Sequence, residues 1–114
     1  KMATTPINVF KTHTANITTS DDIIYTTPAN NTGIVLMAQV ANVTASAATV
    51  TFAHFDATAN TTTELLKDFE LPGNDASGVI SGKFVVQEGN SIVASASANN
   101  TLKITLSVQE SVNA

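Results

Sequence analysis

Residues 91–108 read SIVASASANNTLKITLSV and contain the clearest structural pattern in this sequence. In the second half of the segment every second side chain is apolar: Leu102, Ile104, Leu106 and Val108. This period of two predicts a β-strand with one buried face, and it places positions 103, 105, 107 and 109 in water. The first half alternates in the same way with smaller residues. Because asparagine tolerates positive φ, Asn99 and Asn100 between the halves predict a two-residue hairpin turn.

The rest of the chain repeats this arrangement of short extended segments and turns. Further candidate strands lie at 7–17, 23–25, 33–44, 48–55 and 81–87. Residues 33–44 are apolar on both faces, which is typical of a central strand or of a subunit contact. One face carries Ile34, Leu36, Ala38 and Val40, and the other carries Val35, Met37, Ala41 and Val43. About eight strands at this spacing, with no visible crossover helix, predict an all-β fold, an antiparallel β-sandwich or jelly roll.

Residues 64–71, ELLKDFEL, fit both a helix and a strand. Thr63 could cap a helix in which Leu65 and Phe69 share one face. Positions 65, 67, 69 and 71 also follow a period of two, as in a strand. The Pro-Gly turn at 72–73 ends the segment sharply. We favour the strand.

Length and composition indicate a single domain over residues 1–114, with a flexible N-terminus at 1–6. Only 12% of the residues are charged, about half of the share in an average soluble protein. Monomers usually carry more charge to stay soluble, so this composition favours a protein that lies against copies of itself or against a larger body. Abundant Val, Ile and Thr argue against a disordered chain.

The charge balance argues against binding to nucleic acid or to a membrane. The formal net charge is -4, and the five basic residues are scattered lysines: Lys1, Lys11, Lys67, Lys83 and Lys103. Such a surface repels a phosphate backbone, and no basic cluster overcomes that repulsion. No apolar run approaches the length that crosses a bilayer, and the N-terminus lacks the apolar region of a signal peptide. The absence of cysteine excludes disulfides and a thiolate nucleophile.

The residues that could carry chemistry are few and isolated. His54 and Asp56 could share a strand face, but no serine lies beside them in a nucleophile context. The pairs Asp21-Asp22 and Asn74-Asp75 do not form a calcium loop or a zinc set, and we interpret them as turn residues. No pairing for glycoside hydrolysis is visible among the carboxylates Glu64, Asp68, Glu70, Glu88 and Glu110. We therefore predict no catalytic, metal-binding or cofactor-binding residues, no cofactor and no enzyme activity.

Two parts of the chain resemble small virion proteins of tailed bacteriophages. The first is GVISGKFVVQEGNSIVASAS at 78–97, closed by SVQE at 107–110. The second, IYTTP at 24–28 followed by TGIV at 32–35, looks like the opening strand and loop of the same family. These proteins are tail, fibre-associated or head-surface β-proteins, including those of marine cyanophages. In the family a Gly-Asp-x-Ile turn follows the glycine-containing strand, whereas this chain has Asn90 at the Asp position.

The resemblance implies a structural role and no catalytic residues. We predict a non-enzymatic virion structural protein, a capsid-surface decoration or a tail- or fibre-associated component, that acts by self-assembly and docking. Its expected partners are its own copies, in a homo-oligomer of the kind that is often trimeric in such appendages, and phage capsid or tail proteins. It would be made in the host bacterial cytoplasm and located in the virion. The alternative is a host-surface or glycan-binding adhesin-type β-sandwich module.

Overall fold

Nine β-strands and no helix form the regular structure of residues 8–113, the part of the chain that the computed structural model describes. The strands are β1 (Asn8–Ile17), β2 (Asp22–Thr26), β3 (Asn31–Asn42), β4 (Ala48–Asp56), β5 (Thr61–Leu71), β6 (Ala76–Gly78), β7 (Phe84–Val86), β8 (Ser91–Ala96) and β9 (Leu102–Val112). β5 confirms the strand over the helix at 64–71. The flexibility expected for residues 1–6 lies outside the described residues. None of the described segments forms a helix that could span a membrane.

The strands form two antiparallel sheets in the order of a jelly roll. Sheet A has the order β1-β9-β3, with both β6 and β7 paired to the other side of β3. Sheet B has the order β2-β8-β4-β5. If β6 and β7 are counted as the halves of one interrupted strand, the eight strands have the sheet orders of a jelly roll, and every connection except that from β4 to β5 crosses between the sheets. The predicted all-β sandwich or jelly roll is confirmed.

The apolar core lies between the two sheets. The alternation predicted for β9 is confirmed, because its inward side chains are almost completely buried: Leu102, Ile104, Leu106 and Val108. Val50 and Phe52 of β4 and Ile92 of β8 join the same core from sheet B. Each sheet therefore contributes one apolar face, as the period of two requires.

The hairpin predicted over residues 91–108 is wrong. β8 pairs with β2 and β4 in sheet B, whereas β9 pairs with β1 and β3 in sheet A. The chain crosses between the sheets at 97–101, where Asn100 does adopt the positive φ expected of asparagine, 63°. Alternation shows which face of a strand is buried but not which strand lies beside it. The crossing lets the apolar faces of β8 and β9 meet across the core instead of lying side by side.

A β-bulge in β3 interrupts the alternation predicted for that strand. The register of β3 with β9 shifts between Val35 and Met37. A bulge adds one residue to one strand and reverses the faces beyond it. Ile34 and Leu36 were predicted to share a face with Ala38 and Val40. Ala38 and Val40 are buried, as is Val35, whereas Ile34 and Leu36 are only half-buried. Of the two positions predicted for this strand, the central one is confirmed, because β9 lies on one side of β3 and β6 and β7 lie on the other.

Strand β5 and the segment before β8 are also less regular than predicted. The register of β5 against β4 shifts at two places, and Asp68 has a left-handed φ of 50°. Leu66 packs against the core, whereas Leu65 and Phe69 remain exposed. The strand predicted at 81–87 shortens to Phe84–Val86, after Gly82 with φ of 76°.

Candidate functional site

The first candidate pair, His54 and Asp56, serves the fold in two different places. The His54 ring lies with its centroid 5.4 Å from that of Phe84, which belongs to the opposite sheet. Asp56 Oδ1 accepts hydrogen bonds from the backbone N–H groups of Thr58 (3.0 Å) and Ala59 (3.2 Å). One residue thus packs between the sheets, while the other closes the turn after β4.

The acidic turn residues have structural roles in this molecule. Asp22 Oδ2 accepts hydrogen bonds from the backbone N–H of Thr18 (2.7 Å) and from its hydroxyl (2.8 Å), which closes the β1–β2 loop. Asp75 Oδ1 accepts a bond from the N–H of Ala76 at 2.8 Å. Within residues 8–113, no group of three or more His, Asp and Glu side chains is placed to hold a metal ion.

The five carboxylates considered for glycoside hydrolysis lie in three separate parts of the fold. Glu64, Asp68 and Glu70 follow one another along the exposed strand β5. Glu88 lies in the turn after β7 and accepts a 2.9 Å hydrogen bond from the backbone N–H of Asn30. Glu110 is buried inside the sandwich.

Glu110 is the centre of a buried polar cluster. Its Oε2 accepts a 2.6 Å hydrogen bond from the Tyr25 hydroxyl, and its Oε1 lies 3.0 Å from Lys11 Nζ. Tyr25 belongs to β2 of sheet B, whereas Lys11 and Glu110 lie on β1 and β9 of sheet A. The cluster therefore joins the two sheets through hydrogen bonds to a charged group, which are stronger than bonds between neutral groups.

The alternation of β9 in the sequence indicates one member of this cluster, Glu110. Counting on by two from Leu102 through Val108 reaches Glu110, so the period of β9 places a carboxylate on the buried face. A buried carboxylate needs a partner, because burying an unpaired charge is very costly. Its partner Tyr25 lies 85 positions away, so the pairing is visible only in the tertiary structure.

His13 and Gly33 complete the surroundings of Tyr25. The His13 ring lies with its centroid 5.1 Å from that of Tyr25, and its buried Nε2 has no hydrogen-bond partner among residues 8–113. A Cβ at Gly33 would lie only 2.6 Å from Thr27 Oγ1 and 2.8 Å from the Tyr25 hydroxyl. Glycine is therefore what lets both hydroxyls approach the backbone of β3. Tyr25 and Thr27 are therefore closely packed against β3 at Gly33.

The electrostatics of the cluster favour a neutral tyrosine beside an ionised glutamate. Burial raises the pKa of Tyr25 to about 12, and the hydrogen bond to Glu110 acts in the same direction. Burial by itself would raise the pKa of Glu110. The hydrogen bonds from Tyr25 and Lys11, together with positive charge nearby, outweigh burial and hold that pKa below its usual value. Neither group is poised to exchange a proton near neutral pH.

We expect the fold to lose stability at alkaline pH as Tyr25 ionises. The unfolded chain releases this proton near pH 10.0 and the folded chain near pH 12, so the contribution present below pH 10 disappears between these values. The loss should be about 2–3 kcal/mol at most. Urea unfolding of wild type and Tyr25→Phe across this range measures it, because the variant should lack this part of the decline.

The acid range provides the complementary measurement. Because the pKa of Glu110 is lowered in the folded chain, its contribution is present above the usual glutamate pKa and is lost as the pH falls through the folded value. Glu110→Gln should therefore flatten the acid side of the stability profile. Identical pH profiles for wild type and both variants would contradict this account of the cluster.

Large apolar side chains are exposed on the outside of the sandwich. Phe10 on β1 is 69% exposed, and Ile23 on β2 is 67% exposed. Further exposed apolar side chains are Val9, Met37, Val43, Leu65, Phe69, Val85 and Val112. Exposed apolar side chains that lie together, as Ile23 does with Phe55 and Val93, are typical of interaction sites.

Two open depressions contain part of this apolar surface. The sheet B groove, as we name it, has a volume of about 260 Å³ and is lined by Ile23, Phe55 and Val93 together with polar residues. A second cleft of about 340 Å³ lies between β5 and the β6–β7 connection, with Leu65 and Phe84 among its lining residues. Both depressions are shallow, and neither contains the Glu110 cluster.

Comparison with known proteins finds a likeness in structure. No protein-family model and no curated protein sequence matches the chain. Among solved structures, the chain is similar to one from Bacillus endospore appendages, which are described as a novel family of disulfide-linked pili. The match covers 100% of this chain and 99% of that chain, with a TM-score of 0.57 and 8% sequence identity. At this identity the likeness shows a shared fold.

Proposed function

We propose that this chain is a non-enzymatic structural protein of a tailed-phage virion, a capsid-surface decoration or a tail- or fibre-associated component, that acts by self-assembly and docking. The observation that carries the proposal is the exposure of large apolar side chains, above all Phe10 and Ile23, on a chain in which only 12% of the residues are charged. Such a surface promotes association, because the electrostatic repulsion between molecules with so few charges is weak. Contact with other copies or with a particle would cover it.

The structural likeness supports the self-assembly part of this proposal. The similar chain comes from pili, and the two chains match over nearly their full lengths. Those pili are described as disulfide-linked, whereas this chain contains no cysteine. Contacts between copies through the residues of this chain would therefore form without disulfides. The structural uses found for His54, Asp56 and Glu110 support a role without catalysis.

The phage part of the proposal rests on the resemblance of residues 78–97 and 107–110 to tailed-phage virion proteins. The jelly roll is compatible with it, because this fold occurs in viral capsid proteins, although it also occurs in lectins. Under this proposal the protein is made in the bacterial host cytoplasm and is incorporated into the virion. Its partners are its own copies, of which trimers are one form known in such appendages, and capsid or tail proteins.

A second candidate function is recognition of a host surface or glycan, which the sheet B groove favours. Ile23 and Phe55 offer an apolar surface there, and Thr51, Asp21 and Glu64 offer polar atoms beside it. Apolar contact combined with a few polar groups is the usual composition of a small-ligand site. A glycan array probes this alternative directly.

We expect the wild-type protein to associate as its concentration rises and to bind particles of the tailed phage that encodes it. Analytical ultracentrifugation should show species heavier than the 11.8 kDa chain, and the protein should co-sediment with the particles. Particles of an unrelated phage are the control. If the protein stays monomeric, does not bind the particles and binds defined glycans, the second candidate function replaces this proposal.

A further inference from the structure

The edges of the two sheets differ in how well they are protected against pairing with another strand. β1 and the β6–β7 pair form the edges of sheet A, and β2 and β5 form those of sheet B. An edge strand presents unpaired N–H and C=O groups to any strand that can approach. Proteins that must avoid such pairing shorten, bulge or charge their edge strands. The four edges can therefore be compared by these three properties.

Strand β5 has two of these protections. It carries four charged side chains in seven positions: Glu64, Lys67, Asp68 and Glu70. Its register against β4 shifts twice, and Asp68 has a left-handed φ. Charges and bulges both oppose the approach of a regular partner strand.

The edges formed by β2 and by β6 and β7 are short and interrupted. β2 has five residues, begins with Asp22 and has a register shift between Ile23 and Tyr25. β6 and β7 have three residues each and are separated by the connection that contains Gly82. A partner strand could form only a few regular hydrogen bonds at any of these edges.

Strand β1 is neither short nor bulged within the described residues, and it carries one charged side chain. Its ten residues pair with β9 in an unbroken register, from Asn8 opposite Ser111 to Ile17 opposite Leu102. Its sequence, NVFKTHTANI, contains no proline, glycine or acidic residue. Its one lysine, Lys11, is paired with Glu110 at 3.0 Å, so two β1 strands would not meet as uncompensated charges.

We propose that β1 is the self-association edge of this protein and that it pairs in antiparallel orientation with β1 of a second copy. β1 is the long, regular edge in the described structure, so the complementary edge on a second copy is β1 itself, and the contact is two-fold symmetric. This inference rests on the self-assembly proposed above. The inference specifies the surface of the first contact between copies, β1, and its stoichiometry, a dimer.

The dimer would join the two A sheets into one continuous sheet. Ten residues in a strand span about 33 Å, and the pairing would form about ten new hydrogen bonds. The exposed side chains of Val9 and Phe10 would gain neighbours from the second copy. No residue of β1 lines the sheet B groove, so the pairing does not involve that surface directly.

The absence of cysteine allows a direct test of this contact. Single variants Phe10→Cys, Thr12→Cys and Thr14→Cys place one thiol on β1, and a disulfide can form only where the residue meets its own counterpart near the two-fold axis. Disulfides require Cα atoms within about 7 Å. We therefore expect one β1 position to give a crosslinked dimer in high yield, with a sharp decrease at its neighbours. Thr63→Cys on β5 is the matched control and should remain uncrosslinked.

Charge exchange provides the second test. Thr12→Glu/Thr14→Glu and Thr12→Lys/Thr14→Lys each place like charges against each other in the dimer, and each should weaken dimerisation by about tenfold or more. An equimolar mixture of the two variants should dimerise again, which also shows that both are folded. Thr61→Glu/Thr63→Glu makes the same change on exposed β5 and should dimerise as wild type does.

The outcomes separate this inference from the proposed self-assembly. If wild type and all β1 variants assemble equally, or as trimers without β1 crosslinks, self-assembly stands and pairing through β1 is overturned. If crosslinking occurs at Thr63→Cys instead, β5 is the edge and this inference is again overturned. If wild type remains monomeric at every concentration, both proposals fail.

Discussion

Replacing Gly73 by alanine is expected to destabilise the fold by about 3 kcal/mol, in the range of severe overpacking. Gly73 lies in the turn after β5, where a Cβ would overlap the carbonyl group of Ala45 and lie 2.9 Å from its Cα. The obstacle is backbone, which cannot change rotamer. The two loops are also held together, because the N–H of Asn74 donates a 2.8 Å hydrogen bond to the carbonyl of Thr44.

Urea unfolding measures this loss, and Gly78→Ala is the matched control. The nearest atom to a Cβ at Gly78 is the carbonyl oxygen of Ala38 at 3.8 Å, an ordinary contact. The control should therefore unfold close to wild type. Equal stability of the two variants would show that the turn at 72–75 moves away from Ala45 at little cost.

Phe52→Ala is expected to cost about 3–5 kcal/mol of folding stability. Phe52 is completely buried and belongs to the core between the sheets. Its strand, β4, is paired on both sides, with β5 and β8, so the backbone cannot collapse into the space that the ring leaves. A cavity therefore adds to the lost transfer free energy of the ring.

Thermal and urea unfolding again provide the measurement, with Phe10→Ala as the control. Phe10 is exposed in the monomer, so at concentrations below dimerisation its removal should change stability by no more than about 0.5 kcal/mol. The same variant should weaken self-association, since Phe10 lies on β1. Similar destabilisation by both changes would mean that Phe52 does not have the core role described for it.

Residue-type patterns predicted the strands of this molecule better than their partners. The period of two in β9 identified its buried face correctly, because side-chain direction in a strand depends only on local geometry. The hairpin predicted over 91–108 was wrong because the partners of β8 and β9 are strands distant in the sequence, in two different sheets. The regular alternation predicted for β3 failed between Val35 and Met37, because the bulge there depends on the register with β9.

The candidate site shows the same division. The sequence marked His54, Asp56 and the acidic turn pairs by residue type, and the fold uses them locally in packing and turns. Glu110 was visible as the next inward position of β9, but its hydrogen bond to Tyr25 spans 85 positions. The charged residues that protect the edge of β5 are visible in the sequence, whereas the sequence does not show the bulges in this strand.

The sequence by itself determined the all-β class, the inward face of β9, the low charge of the surface and the left-handed turn at Asn100. These properties follow from composition and from local backbone geometry. Only the tertiary structure decided that β8 and β9 lie in different sheets, that Glu110 meets Tyr25 and Lys11, and that β1 is left as a long regular edge. Each of these depends on contacts between distant parts of the chain, which local patterns do not specify.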